Sequence, residues 1–273
     1  MWFFTFLLWG FNVMKKNKNV LIHINHMKKS SEHAARWQEK WKSPAIGRIL
    51  PNMVTLSALC MGLSSIQFGF SQQWRNAVAS VLIAGVLDGL DGRLARLLKS
   101  SSAFGAELDS LVDFIAFGVA PALIIYCYSL SLWGNKGWGL CLFFTACMAW
   151  RLARFNTLPH HSSLFSMGVP APAGALLILT PMIISFVLDT QLSVWVHGLT
   201  ALITSILLVS RYPTFVFKKI VIPQKFFGVF CMTIVGFVAG MFSAPWETLL
   251  VLSIIYLLFL PISGYWFYKK GLS

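Results

Sequence analysis

Five of the nine acidic residues in this 273-residue chain fall between positions 88 and 113: Asp88, Asp91, Glu107, Asp109 and Asp113. The stretch reads DGLDGRLARLLKSSSAFGAELDSLVD, and the sequence around it is apolar enough to be membrane. A carboxylate at membrane depth is costly, so each one marks a functional site by default. Four aspartates packed together repel one another and need compensating positive charge. A divalent metal bound by oxygen ligands is the cheapest supply.

The spacing fits that chemistry. Asp88, Asp91, Gly92 and Ala95 share one helical stripe, and Gly105, Asp109 and Asp113 share another. The polar turn from Lys99 to Ser102 folds the two helices antiparallel. Asp88 then comes opposite Asp113 and Asp91 opposite Asp109, about 15 Å from the turn at the rise of an α-helix. Gly92, Ala95 and Gly105 lack bulk, which lets a phosphate group or a neighbouring backbone come close.

The elements that must position these residues are transmembrane helices. The chain is 57% hydrophobic and 11% charged, and apolar runs of about 20 residues recur. Period-two alternation, the mark of a membrane strand, is absent. The expected fold is an all-α polytopic transmembrane helical bundle. Its spans are expected near 50–71, 74–98, 104–131, 137–154, 168–189, 193–211, 226–243 and 247–267. The fourth is the weakest, because Arg151 and Arg154 crowd its end.

Residues 1–14 are apolar but too short to span comfortably, and suit an interfacial anchor or an upstream start-codon artefact. The basic stretch 15–48 follows, with Trp37 and Trp41 interleaved. Ser31–Lys42 suits an amphipathic surface helix or a solvated basic arm drawn to anionic lipid. Cys60, Cys127, Cys141, Cys147 and Cys231 form no C-x-x-C pair and read as small buried apolar side chains.

The net charge of +13 follows the loops rather than one face, so nucleic acid is not an expected partner. With the N-terminus inside, 20 of the 22 Lys and Arg fall in inside segments, and only Arg75 and Lys136 lie outside. That bias supports an even number of spans and puts the aspartate hairpin on the cytoplasmic side.

Asp88-x-x-Asp91-Gly92-x-x-Ala95-Arg96, followed by Gly105-x-x-x-Asp109-x-x-x-Asp113, resembles the full signature of the CDP-alcohol phosphatidyltransferase family, with no departure. The resemblance implies a six-helix membrane core, usually a homodimer. It also implies two divalent metal ions, Mg²⁺ or Mn²⁺, and a CDP-linked lipid at the cytoplasmic face. Flanking stretches resemble the serine-accepting bacterial branch of that family: Pro51–Leu56, Cys60–Ile66, Ser102–Gly105, Phe117–Pro121, Arg151–Asn156 and Gly168–Ala173. The resemblance covers about 45–210. It says little about 1–44 or 211–273; with the charge and hydropathy pattern, the expected organisation is a basic arm over 1–44, suited to the membrane interface, a catalytic core over 45–211 and two additional spans over 212–273.

The implied reaction moves the phosphatidyl group of CDP-diacylglycerol to the hydroxyl of L-serine, releasing CMP, in a bacterial inner membrane. Asp88, Asp91 and Asp109 are the expected metal ligands. Asp113 is the expected general base and stands in the metal-ligand set too. No Cys or Ser near the motif has an evident activating His, which favours direct attack over a covalent intermediate.

Arg96 offers a phosphate contact or a positive-inside anchor. Arg151 and Arg154 share a helix face and suit the acceptor carboxylate, a phosphate, or membrane anchoring. Asn52 and Thr55 suit nucleotide contact or helix-end hydrogen bonding. Asn156 suits a hydrogen bond or a cap, and Glu107 nucleotide or Arg pairing or a solvated face. Gly168–Ala173 suits a packing break or the start of a helix. His160, His161 and His197 read as loop, satisfied or interfacial histidines. Two other readings stay open: the same chemistry with glycerol 3-phosphate, inositol or choline, and a divalent-cation transporter. The transporter would have no need of the Gly92, Ala95 and Gly105 spacing.

Overall fold

The computed structural model describes residues 44–98, 100, 102–157, 165–210, 213–215 and 227–269. The basic arm up to residue 43, Lys99, His160, His161 and the basic residues between 216 and 226 lie outside the described residues.

The helices are α1 (Pro44–Phe70), α2 (Trp74–Leu97), α3 (Ala103–Asp113), α4 (Ala120–Tyr128), α5 (Asn135–Thr157), α6 (Ala171–Leu188), α7 (Val194–Val209), α8 (Phe227–Ser243) and α9 (Pro245–Lys269). A π-helical segment, Phe114–Val119, joins α3 to α4, so these form one rod. Among the described residues, eight rods therefore stand where eight spans are expected. Three of them, Ile49–Phe70, Ala103–Tyr128 and Ala171–Leu188, are long and apolar enough by themselves to cross a membrane. The rods α2 and α5 have the length but carry charges at their ends, Asp88 to Arg96 and Arg151 to Arg154. Prolines inside α1, α6 and α9 (Pro51, Pro181 and Pro261) are tolerated, as in other membrane helices.

The core lies where α4, α5, α6 and α7 meet. Phe117, Ile124, Ile125, Phe144, Met148, Ile178, Met182 and Leu208 are buried there almost completely. Helix α1 packs along α2 and also against α3, the π segment and α4. Helix α9 packs on α6 and α8, so the last two helices dock onto the core through α6.

The turns at 71–73, 129–134, 189–193 and 244 lie at one end of the rods. Aromatic pairs gather there. Trp74 meets Tyr128 edge-on at 5.2 Å, Trp133 meets Trp195 at 4.8 Å, and Phe186 meets Trp246 at 5.0 Å. Arg75 lies over the Phe186 ring and 3.8 Å from Asp189. The aspartates lie toward the opposite end.

The structure adds to or corrects the expectations at four points. First, the all-α bundle stands and carries one short addition: Phe165–Met167 and Pro213–Phe215 form an antiparallel ladder, Phe165 opposite Phe215 and Met167 opposite Pro213. Two connections leave the bundle at the same end, and pairing satisfies backbone groups that neither helix can reach. Second, the two helices of the aspartate hairpin, α2 and α3, do not pack closely on each other; α1 packs on both instead. Close packing at the usual 8–10 Å between axes would leave little room for a ligand between them. Third, Cys60 is exposed on α1 and Cys127 only half-buried, whereas Cys141 and Cys147 are buried as expected. Fourth, His197 is wholly buried but only half satisfied. Its Nδ1 lies 3.1 Å from the Ser193 carbonyl, and Nε2 has no partner among the described residues.

Candidate active site

The turn between α2 and α3 is fixed by Ser102. This residue is the N-cap of α3, and its hydroxyl accepts from the Gly105 amide at 3.0 Å. The cap satisfies one of the free amides of the first turn and sets where the second carboxylate stripe begins. Gly105 is needed there for space. A Cβ at this position would stand 3.2 Å from both the Asn52 and the Ser102 side-chain oxygens.

Carboxylate oxygens of Asp88, Asp91 and Asp109 lie within 4.8 Å of one another. Two helices thus bring three like charges into one cluster with Asp91 buried. The Asp88 carboxyl is the side-chain partner of both Asp109 and Asp113. Asp113 stands outside the triad, and its Oδ1 is buried without a hydrogen-bond partner among the described residues. From α1, the Thr55 hydroxyl reaches Asp91 at 2.5 Å and the Pro51 carbonyl at 3.1 Å. Its single proton is best spent on the carboxylate, which it then orients.

The donor set fits a hard divalent cation. It is all oxygen, it is anionic, and it contains a buried carboxylate oxygen with no other partner. Beside it lies a cleft of about 210 Å³, lined by Asn52 and Thr55 of α1, Asp91, Gly92, Ala95 and Arg96 of α2, and Gly105 and Asp109 of α3. Open space adjoins Gly92, where the nearest atom to an added Cβ is Arg96 Nη2 at 4.0 Å. Arg96 is exposed and donates from Nε to the Gly92 carbonyl at 2.8 Å. Arg96 also lines the cleft.

Arg151 and Arg154 part company. Arg151 is buried, its Nε donates to the Val169 carbonyl, and it lies within electrostatic reach of Asp113. Its terminal guanidinium nitrogens make no hydrogen bond among the described residues. Arg154 Nη1 donates to the Val209 carbonyl at 2.9 Å and Nη2 to the Ser210 carbonyl at 3.3 Å, which closes the C-terminus of α7. Asn156 Nδ2 donates to the Ser110 hydroxyl at 2.7 Å and ties α5 to α3. Glu107 is exposed and stands outside the cluster. Gly168–Ala173 serves as the start of α6, with proline in the first turn.

Some residues that build this site carry little signal in the sequence. Ser110 is one hydroxyl among many, and nothing near it in the chain points to Asn156. The tyrosine at 256 lies more than 100 positions beyond Arg151, yet the two are within electrostatic reach.

The description CDP-alcohol phosphatidyltransferase fits residues 48–206 as a family model. The chain belongs to that family. A second family model, CDP-alcohol phosphatidyltransferase 2, matches residues 228–261 in the last two helices. Curated relatives extend the match over most of the length. The CDP-diacylglycerol–serine O-phosphatidyltransferase of Mycobacterium leprae (strain TN) is 37% identical over 229 residues, 79% of this chain and 74% of the relative. Proteins of the same name are 36% identical in Mycobacterium bovis (79% of this chain, 78% of the relative) and 37% identical in Helicobacter pylori strain 26695 (77% and 89%). As a member of the family, the chain carries its aspartate signature on the two helices that converge here.

Proposed function

We propose that this phosphatidyltransferase moves the phosphatidyl group of CDP-diacylglycerol to the hydroxyl of L-serine, giving phosphatidylserine and CMP. One observation carries the reading: three carboxylates within 4.8 Å beside an open cleft, in a chain similar over 79% of its length to a serine enzyme.

In this reading Asp88, Asp91, Asp109 and Asp113 hold two divalent ions, Mg²⁺ or Mn²⁺. When bound, such ions neutralise the diphosphate and stabilise the leaving CMP. The chain's own residues do the rest. Gly92 and Ala95 leave the cleft shallow enough for the diphosphate to approach, and Arg96 donates to a phosphate oxygen. Asn52 and Thr55 contact the nucleotide end, and Thr55 also fixes the Asp91 carboxylate. Arg151, anchored through Nε, offers its two free nitrogens to the acceptor carboxylate in a fork geometry. Arg154 supports that end of the pocket by holding the α7 terminus.

The serine oxygen attacks the phosphorus next to diacylglycerol. A new P–O bond forms, the P–O bond to CMP breaks, and the bonding pair leaves with CMP. The serine proton passes to Oδ1 of Asp113, the atom with no other partner.

The reading also places the enzyme as a homodimer in a bacterial inner membrane, with its N-terminus and aspartates cytoplasmic, a catalytic core over 45–211 and an appended pair over 212–273. The charge bias of the loops and the family resemblance support this.

Purified protein given CDP-diacylglycerol, Mg²⁺ or Mn²⁺ and labelled serine should release CMP and form labelled lipid in equal amounts. A panel with glycerol 3-phosphate, inositol and choline should give much less. Release of CMP that does not depend on serine would refute the assignment of the acceptor.

A further inference from the structure

Helix α9 belongs to the appended pair, yet it packs against α6 of the core and carries a tyrosine inward. The hydroxyl of Tyr256 is buried and has no hydrogen-bond partner among the described residues. A buried phenol without a partner is unfavourable, since the group loses water and gains nothing. Its charged neighbour is Arg151, and Arg151 is in turn within electrostatic reach of Asp113. Two buried polar atoms without partners among the described residues, Asp113 Oδ1 and Tyr256 Oη, thus belong to side chains within electrostatic reach of one guanidinium, which lies over the Phe155 ring at 6.0 Å and spends only Nε on a hydrogen bond. The cleft beside the carboxylate triad is lined by none of these three residues.

We infer that Tyr256 completes the acceptor pocket, its phenol donating a hydrogen bond to the acceptor carboxylate beside Arg151. The inference rests on the proposed serine transfer and deepens it. It also assigns a purpose to the last two helices: they supply one wall of the acceptor site, while the cleft of α1, α2 and α3 takes the nucleotide. Unpartnered polar groups are then satisfied when substrate binds. A carboxylate held by both a guanidinium and a phenol discriminates against alcohols that lack the carboxylate, because binding them leaves buried donors unpaired.

The test compares full-length wild type with Tyr256→Phe, which keeps the ring and its packing and removes only the hydroxyl. KM for serine should rise about tenfold, the loss expected for a hydrogen bond to a charged group. KM for CDP-diacylglycerol should move by less than about twofold, since the donor cleft lies elsewhere. Because KM does not depend on the amount of folded enzyme, poorer folding of the variant would not imitate this split. Tyr256→Met, also without a hydroxyl, should repeat it. An unchanged KM for serine in both variants, or equal rises for both substrates, would overturn the role of Tyr256 while leaving serine transfer intact. A wild type that turns over only with an acceptor lacking a carboxylate, such as inositol, would overturn both. The first failure is read in the variants and the second in the wild type.

Discussion

At the scale of single residues, the site divides labour among carboxylates that look alike in sequence. Asp88, Asp91 and Asp109 converge, while Asp113 meets Asp88 from outside that triad with one oxygen unsatisfied. Asp113→Asn keeps the shape and removes the proton acceptor. It should lower kcat by about 10²–10⁴-fold, the usual contribution of a general base. CDP-diacylglycerol should still raise the melting temperature of the variant, so a thermal shift beside a turnover assay checks the prediction. Thr55 allows a second test. Its hydroxyl orients Asp91 and needs to touch no metal itself. Outer partners of this kind are worth roughly 10–100-fold in metal affinity. In Thr55→Val the Mg²⁺ concentration for half-maximal activity should rise at least about tenfold, with activity recovered at saturating Mg²⁺. Lost activity that no amount of Mg²⁺ restores would refute this role. The aspartates could be found from sequence because helical spacing alone puts each pair on one stripe of its helix. Thr55 could be placed only on a helix face, and its partner lies 36 positions away. Arg154 shows the limit of the same logic. It shares a face with Arg151, but it reaches carbonyls 55 and 56 positions downstream, a pairing that only tertiary packing decides.

At the scale of elements, the spans were legible because each rod repeats the same apolar signal. The connections were not. The ladder between Phe165–Met167 and Pro213–Phe215 depends on two loops meeting, and the π segment after Asp113 leaves no mark in an apolar run. That wider turn lets Ala116, Phe117 and Gly118 enter the core directly after the Asp109 and Asp113 stripe. The join between ladder and α6 is tightest at Gly168. Its φ is +87°, and an added Cβ would stand 3.0 Å from Arg154 Nη2 and 3.0 Å from the Leu208 carbonyl. Gly168→Ala should therefore destabilise by about 1–3 kcal/mol from backbone conformation alone. Thermal unfolding in detergent measures this. A variant as stable as wild type would mean that the turn relaxes without disturbing the α7 terminus.

At the scale of the whole molecule, the two ends of the bundle have opposite chemistry. One end carries Trp74, Trp133, Trp195 and Trp246 in edge-to-face pairs, the short turns, and the Arg75–Asp189 pair. The other carries the aspartate cluster, Arg96, Arg151 and Arg154. Amphipathic rings suit a headgroup layer, and short turns with few cations suit the side that translocates. The aspartate end has to meet water-soluble serine and release CMP, both of which belong to the cytoplasm. Joined, these arguments support the proposed orientation, in which Ser131 would face out and Thr157, at the far end of α5, would face in. Both are exposed, so each can be replaced by cysteine in a background where the five native cysteines are serine. A membrane-impermeant maleimide added to intact cells, with the outer membrane opened, should label Ser131→Cys and spare Thr157→Cys. Inverted vesicles should give the reverse pattern. Labelling of Thr157→Cys from outside would turn the bundle over and set its active site on the wrong side of the membrane for its substrates.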